Sequence, residues 1–420
     1  ITEMLAQEHT ADEIIVRYAD GVPSKDHAAI NATVGVATLK SFNTGHTLVQ
    51  IADGESLEAT LAEFQGRADI EYAEPNYIVS AIRTPNDPDF AKLWGMNNVT
   101  EGFEHTDING PEAWDVNTGS HEVIVAVIDT GVDYTHPDLA ANMWKNEGET
   151  PDNGIDDDGN GFIDDVYGYD FAQDDGDPMD VDGHGTHVAG TVGAVGDNNV
   201  GVVGVAWNVR IMALRFLGDN GSGTTADAIA AIDYAVQMGA TLTNNSWGGG
   251  GFSQALYDSI ARAQAVGQLF VAAAGNDAGN NDSNPAYPAS YDLENIISVA
   301  AISRDGQMAG FSNYGITTVD IAAPGVEIYS TRLGGGYHNL QGTSMASPHV
   351  AGAAAVLLSA QPKRTFLEIK TRLLETATPL ASLDGRILTG ATLNLGNAVE
   401  AVEVAGLVAY FNADDTYKQV

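Results

Sequence analysis

The chain has 420 residues, a hydrophobic share ordinary for a globular protein, no cysteine, and a formal net charge of −39 from 18 Lys+Arg against 57 Asp+Glu. The lack of cysteine excludes disulfides, thiol catalysis and cysteine–zinc sites. A charge of this sign and size repels phosphate backbones and anionic lipid surfaces, so neither nucleic acid nor membrane is expected as a partner; it favours cations such as calcium, and it suits solubility at high salt.

In chain order, residues 1–82 read as a small α+β unit. Strands are expected over 13–18 and 47–51, helices over 27–33 and 56–65, and a last strand over 70–79 interrupted by Pro75. The order suggests a split βαβ, ferredoxin-like arrangement. Thr84-Pro-Asn-Asp-Pro-Asp reads as a linker. Residues 83–402 then alternate short apolar strands, such as 123–128 and 269–274, with helical stretches at 226–238 and 344–359. That alternation is expected of an α/β fold with a mostly parallel sheet covered on both faces. Residues 403–420 carry no clear core face and are expected to be a tail or a linker. No apolar run reaches membrane-spanning length. No charged-then-apolar leader stands at Ile1; any secretory leader is expected to have been removed from this sequence.

Several residues in the large domain bear chemistry. Ser344 stands in Gly342-Thr-Ser-Met-Ala-Ser-Pro-His, at a glycine turn entering an Ala-rich helix. Alone it reads as a helix cap, but a helix N-terminus also favours developing negative charge. His184, in Asp182-Gly-His-Gly-Thr-His, also opens a helix. Imidazole is suited to take the proton of a serine near neutral pH. The histidine pair lacks the Glu of a zinc-binding helix, which makes zinc the poorer reading. Asp129 ends a strand in Asp-Thr-Gly, where a carboxylate can orient an imidazole. An aspartic protease would need a second such carboxylate motif, and there is none. Asn276, after another strand, offers an amide to an oxyanion. These positions all fall at carboxyl ends of strands or openings of helices, the edge of an α/β sheet that carries sites. The order Asp, His, Ser also differs from that of chymotrypsin.

With Asn245-Ser-Trp-Gly and Ala274-Gly-Asn added, these motifs resemble the subtilase family from about residue 84 to 402. The resemblance implies a subtilisin-like three-layer α/β domain and a secreted, by default monomeric, serine endopeptidase. Ser344 would be its nucleophile, His184 its base and Asp129 the orienting carboxylate. The Ser344 N–H and Asn276 amide would hold the oxyanion. It further implies protein and peptide substrates bound as an added strand along Gly221, Ser222 and Gly223 on one side and Ser246, Trp247 and Gly248 on the other. Ala286 would floor a roomy S1 pocket for large apolar or aromatic side chains, with Asp277 adding tolerance for basic ones. Residues 1–82 resemble the family's inhibitory propeptide through Tyr72-Ala-Glu-Pro-Asn-Tyr, making the chain a zymogen. Self-cleavage would fall between Ile82 and Arg83, with Val79 in S4 and Ile82 in S1.

Calcium is the expected cofactor at two or more places. Asp156-Asp-Asp-Gly-Asn-Gly-Phe-Ile-Asp-Asp spaces carboxylates around glycine turns, and Asp156, Asp158, Asn160 and Asp164 with the Phe162 carbonyl are the expected ligands. Tyr167 stands where an EF-hand would place its Glu, so an EF-hand pair is not expected. The family resemblance implies a second site at Asp138, the Asn198 side chain and the Val200 and Val202 carbonyls, with Asp87 tying down the mature N-terminus. Two rivals remain, an inactive protease-fold scaffold and a calcium-binding structural protein. The first requires a broken triad, whereas every position is filled; the second leaves the Ser344 motif unexplained.

Overall fold

In the computed structural model, residues 1, 4–6, 9–52, 54–78, 83–103 and 105–399 are described. The expected scissile residue Ile82, its neighbour Val79 and the 403–420 tail lie outside them. The chain divides into two compact units, Ile1–Ala81 and Ile82–Val420.

The first unit runs β1 (His9–Tyr18), α1 (Ser24–Thr33), β2 (Val36–Ser41), β3 (His46–Ile51), α2 (Leu57–Gln65) and β4 (Ile70–Tyr77). The four strands pair antiparallel in the order β2-β3-β1-β4, which is the ferredoxin-like arrangement the sequence suggested. Ile14, Val16, Val49, Leu61 and Phe64 are fully buried and form its core. Two local expectations are corrected. β4 runs through Pro75 instead of breaking there, because β4 is an edge strand and an edge can spare one amide donor. β2, an edge strand that the sequence reading does not include, gives no signal because only Val36 of its six residues is buried.

The second unit begins with α3 (Gly110–Val116) and β5 (Gly119–Asp129), followed by β6 (Gly168–Asp170), α4 (His184–Gly193), β7 (Asn208–Arg215), α5 (Thr225–Gln237), β8 (Leu242–Asn245), α6 (Gln254–Ala265), β9 (Leu269–Ala273), β10 (Ile296–Ile302), β11 (Ile321–Pro324), the hairpin β12 (Ile328–Arg332) and β13 (Gly336–Leu340), α7 (Thr343–Ala360), α8 (Phe366–Glu375), β14 (Thr378–Pro379) and β15 (Ala391–Thr392). The nine-stranded sheet has the order β14-β15-β11-β10-β9-β8-β5-β7-β6. Its pairs are parallel except β14 with β15.

β5 explains the layering. Side chains alternate across a strand, and here both faces are apolar. Val123, Val125 and Val127 enter the core shared with α4 and α7, while Ala126 and Ile128 enter the core shared with α5 and α6. Such a strand is stable only with helices on both sides, which gives three layers. α7 is buried almost all round, from Met345 to Leu358, as befits a core helix. Its small residues permit close approach: a Cβ on Gly352 would collide with Val205.

Candidate active site

Three adjacent strands deliver the site. Asp129 is the last residue of β5, Ser246 follows β8, and Asn276 lies just past β9, while His184 opens α4 and Ser344 lies in the first turn of α7. Asp129 is fully buried, and its Oδ1 accepts from the Thr130 N–H and from His184 Nδ1, each at 2.7 Å. That bond places the imidazole proton on Nδ1 and leaves Nε2 as the basic nitrogen. The His184 side chain is 27% exposed and lines an open cavity of about 520 Å³.

Asp180, which the sequence reading passed over, fastens Asp129 to His184. Its buried carboxylate accepts from Thr130 Oγ1, the Asp182 and Gly183 amides, and the Thr186 amide and hydroxyl. Thr130 Oγ1 in turn accepts from the Gly185 amide. The carboxylate four residues before a helix-opening histidine was the available signal, since it does the work of a helix cap that Gly183 cannot do.

Ser344 and Ser246 exchange two hydrogen bonds. Ser344 Oγ donates to the Ser246 carbonyl at 3.0 Å, and Ser246 Oγ donates to the Ser344 carbonyl at 2.8 Å. The second bond follows from Pro348, which stands inside α7 and has no N–H for the carbonyl four residues earlier. Ser246 also lines the cavity that His184 lines; Ser344 is not itself among the lining residues and is tied to that opening through its bonds to Ser246.

Asn276 is held by Thr343, whose N–H (2.9 Å) and Oγ1 (3.0 Å) both donate to Asn276 Oδ1. This fixes the amide orientation and leaves Nδ2 free to donate elsewhere. Gly342 has φ +153°, and a Cβ built on it would stand 3.5 Å from Ser344 N and 3.6 Å from Asn276 Nδ2. The missing side chain thus leaves room for an oxygen between two N–H donors at a helix N-terminus.

Gly221, Ser222, Gly223, Ser246, Trp247 and Gly248 all line the same cavity as His184. Arg215 braces the loop of Gly221, Ser222 and Gly223, bonding Asp170 at 2.6 Å and Asp219 at 2.7 Å. Ala286 is not among the cavity's lining residues; it lies beside Gly275, whose built Cβ would be 3.7 Å from the Ala286 methyl. His187 is unsuited to bind metal with His184: its Nε2 is 2.9 Å from the Ile328 carbonyl, and burial pulls its pKa down to about 3. The Arg83 N–H donates to Asp115 Oδ1 at 2.6 Å, and its guanidinium lies over the Trp207 ring.

The acidic residues fall into two groups. Asp87, Asp138, Asn198 and Val202 converge: Asp138 accepts from Asn198 Nδ2 and the Val202 N–H at 2.8 Å each, and Asp87 Oδ2 accepts from the Asp197 N–H at 2.8 Å. The Val200 N–H donates to Asn198 Oδ1 at 2.7 Å. Asp87 Oδ1 is buried without a protein partner. Burial, aided by the nearby Asp138 charge and opposed by the Asp197 and Asn198 amides, pushes the Asp87 carboxyl up to about 6. Burial likewise raises Asp138. Two desolvated carboxylates with one orphan oxygen fit a hard cation. In the second group, Glu149, Asp156 and Asp158 lie together and could hold a metal. Asp164, expected beside them, is instead engaged with the Asn153 and Gly154 amides, and Glu149 takes its place. The Asn160 side chain bonds Asp165 at 2.9 Å, and the Phe162 ring packs on Tyr169 and Tyr234. Glu149 was missed because it precedes the acidic run that drew attention to the loop.

Burial lowers the His184 pKa, but the Asp129 charge and hydrogen bond, with the Asp182 and Asp180 charges, outweigh it and hold the net value above the ordinary one. A histidine base must be neutral to act, so activity that depends on His184 is expected to rise with pH through this raised value. Asp182→Asn is therefore expected to move the acid limb of kcat/KM to lower pH. The shift should shrink in high salt, because Asp182 is exposed. A pH profile of the variant at two ionic strengths checks this.

The subtilase family model matches residues 120–396 of the chain. The chain belongs to the subtilase family. The fervidolysin N-terminal prodomain model matches residues 2–76. Among similar proteins is the thermophilic serine proteinase of Bacillus sp. (strain AK1), 39% identical over 92% of this chain and 87% of that protein. Another is the halolysin-like extracellular serine protease Nep of Natrialba magadii, 34% identical over 89% of this chain and 64% of that one. A solved protease structure from Pseudoalteromonas arctica superposes with a TM-score of 0.62 at 33% identity, over 76% of this chain and 99% of that one. This subtilase is accordingly a subtilisin-like serine protease with an N-terminal prodomain.

Proposed function

We propose that this subtilase is a secreted endopeptidase made as a self-processed zymogen, with Asp129, His184 and Ser344 as its triad. The observation that carries this reading is the 2.7 Å Asp129–His184 bond on the opening where Ser246 holds Ser344. Ser344 Oγ turns from the Ser246 carbonyl to His184 Nε2, gives up its proton there, and bonds to the peptide carbonyl carbon. The carbonyl oxygen becomes an oxyanion between Ser344 N–H and Asn276 Nδ2. His184 then protonates the leaving amine as the C–N bond breaks. Water, deprotonated by the same nitrogen, hydrolyses the acyl-enzyme. Gly221, Ser222 and Gly223 with Ser246, Trp247 and Gly248 flank the substrate strand, and Ala286 floors S1.

Residues 1–82 act as the inhibitory propeptide, 83–402 as the enzyme, and the cut falls between Ile82 and Arg83. The intact mass of the chain after incubation tests this, and loss of residues 1–82 is expected. A stable full-length mass in protein that hydrolyses peptides would overturn the zymogen reading. Export is supported by a relative named as extracellular. Among the described residues no helix is long and apolar enough to cross a membrane.

Calcium is the cation we assign to Asp87, Asp138, Asn198, Val200 and Val202, and to Asp156 and Asp158 with Glu149 and the oxygens of Asn160 and Phe162. It supplies positive charge where buried carboxylates otherwise repel, and it ties loops that no disulfide can tie. Excess EDTA is expected to lower the melting midpoint. A site held at a hundred times its Kd contributes about 2.7 kcal/mol, a shift of roughly 4 °C in a domain of this size. An unchanged midpoint in a calorimeter scan would contradict the assignment.

A further inference from the structure

The loop that carries Asn276 has no regular structure of its own. It runs from the end of β9 to Asn281, and Ala278 within it has φ +53°, a left-handed conformation that side chains resist. Such a loop holds its shape only if something outside it fixes the backbone.

The segment 311–314 does so: the Ala278 N–H donates to the Phe311 carbonyl at 2.8 Å, the Tyr314 N–H to the Gly279 carbonyl at 3.0 Å and the Asn281 N–H to the Tyr314 carbonyl at 2.7 Å, and one buried side chain of that segment makes the remaining bonds. Asn313 Oδ1 accepts the Asp277 and Gly279 N–H groups, each at 2.9 Å, so the amides flanking the strained Ala278 converge on a single oxygen. Asn313 Nδ2 donates to the Ala274 carbonyl at 3.2 Å and to Asn281 Oδ1 at 3.0 Å, and the Asn313 N–H donates to the Gly275 carbonyl at 2.9 Å. Asn313 is 3% exposed and Asn281 is fully buried. Gly275 has φ +111°, and a Cβ there would collide with Asn313 Nδ2, so the glycine and the asparagine amide occupy one another's space. Asn313 thereby grips the chain on both sides of Asn276 without touching its side chain.

We propose that Asn313 is a positioning residue of the oxyanion site: it sets where Asn276 Nδ2 stands relative to the Ser344 N–H. Thr343 fixes the rotation of the Asn276 amide, and Asn313 fixes the backbone from which that amide extends. The chemistry admits few substitutes. Aspartate would set a carboxylate oxygen against the Ala274 carbonyl and Asn281 Oδ1, both acceptors; alanine would release the Asp277 and Gly279 N–H groups and leave the buried Asn281 Oδ1 without its donor, while the Ala274 carbonyl would keep only Asn281 Nδ2. The inference rests on Asn276 acting as an oxyanion donor.

The test is a double-mutant cycle on matured enzyme, with active sites counted by exhaustive fluorophosphonate labelling. Asn313→Ala is expected to lower kcat by about 10–100-fold, part of what loss of an oxyanion donor costs, with KM moving less than about threefold. Added to Asn276→Ala, it is expected to cost less than about threefold in kcat, because the donor it positions is already gone. Equal losses in both backgrounds, or a loss confined to KM, would overturn the proposal and leave Asn313 as framework only. Asn313→Ser, which keeps a hydroxyl acceptor, carries the same cycle if the alanine chain does not fold. If Asn276→Ala alone leaves kcat unchanged, the oxyanion assignment fails instead.

Discussion

Ser344→Ala is expected to end peptide hydrolysis and leave the chain at its full-length mass. The substitution removes the hydroxyl that bonds the carbonyl of Ser246, a residue lining the same opening as His184. It removes little else: alanine suits the first turn of a helix, and the lost bond to Ser246 is worth about 1 kcal/mol. The variant should therefore fold, which a melting curve within a few degrees of the parent would show. The loss in kcat is expected on the order of 10⁶, the size known for subtilisin, a member of this family. A residue of catalysis about 10³–10⁴ above water should survive, because Asn276 and the Ser344 N–H remain. Activity within a hundredfold of the parent would mean that another group is the nucleophile.

Asp129→Asn is the second large effect. Asp129 Oδ1 takes both the Thr130 and the His184 N–H, and an amide oxygen can keep both bonds. The fold should therefore survive, and what disappears is the negative charge. As Ser344 attacks, His184 becomes a cation, and in the parent that cation stands against a fully buried carboxylate. Without the charge the imidazolium is unpaired in a poorly solvated place. A fall in kcat of about 10³–10⁴ is expected, with KM little changed. The charge of Asp129 is also what chiefly holds the His184 pKa up against burial, so the acid limb of the residual activity should move to lower pH. A loss below tenfold, with the limb unmoved, would show that the carboxylate only orients the ring.

How much of this was legible beforehand depended on where the physical cause lay along the chain. β5 and α7 announce themselves, because a doubly buried strand and a buried helix must be apolar throughout. Asp129, His184, Ser344 and Asn276 sit in short motifs at the junctions such elements create, so sequence alone could name them. β2 could not be seen, since an edge strand with one buried side chain carries no pattern. Asp180 left a local signal, four residues before a helix-opening histidine, but Thr343 and Asn313 were invisible for another reason. Each acts on a segment brought close only by the fold, Thr343 on the Asn276 side chain and Asn313 on backbone more than thirty positions away, and nothing local marks an asparagine for that duty. The acidic loop shows the same limit: spacing picked out Asp156 and Asp158, but the fold supplied Glu149 and turned Asp164 to Asn153 and Gly154.

The central claim is that Ser344 is a nucleophile because His184, oriented by Asp129, takes its proton. Peptide mapping by mass spectrometry after fluorophosphonate treatment tests it directly, with the parent beside His184→Ala. The account requires one adduct, on Ser344, forming at a rate that rises with pH through the His184 titration and collapsing in His184→Ala. An adduct on a different residue, or Ser344 labelled equally fast in both proteins, would contradict it.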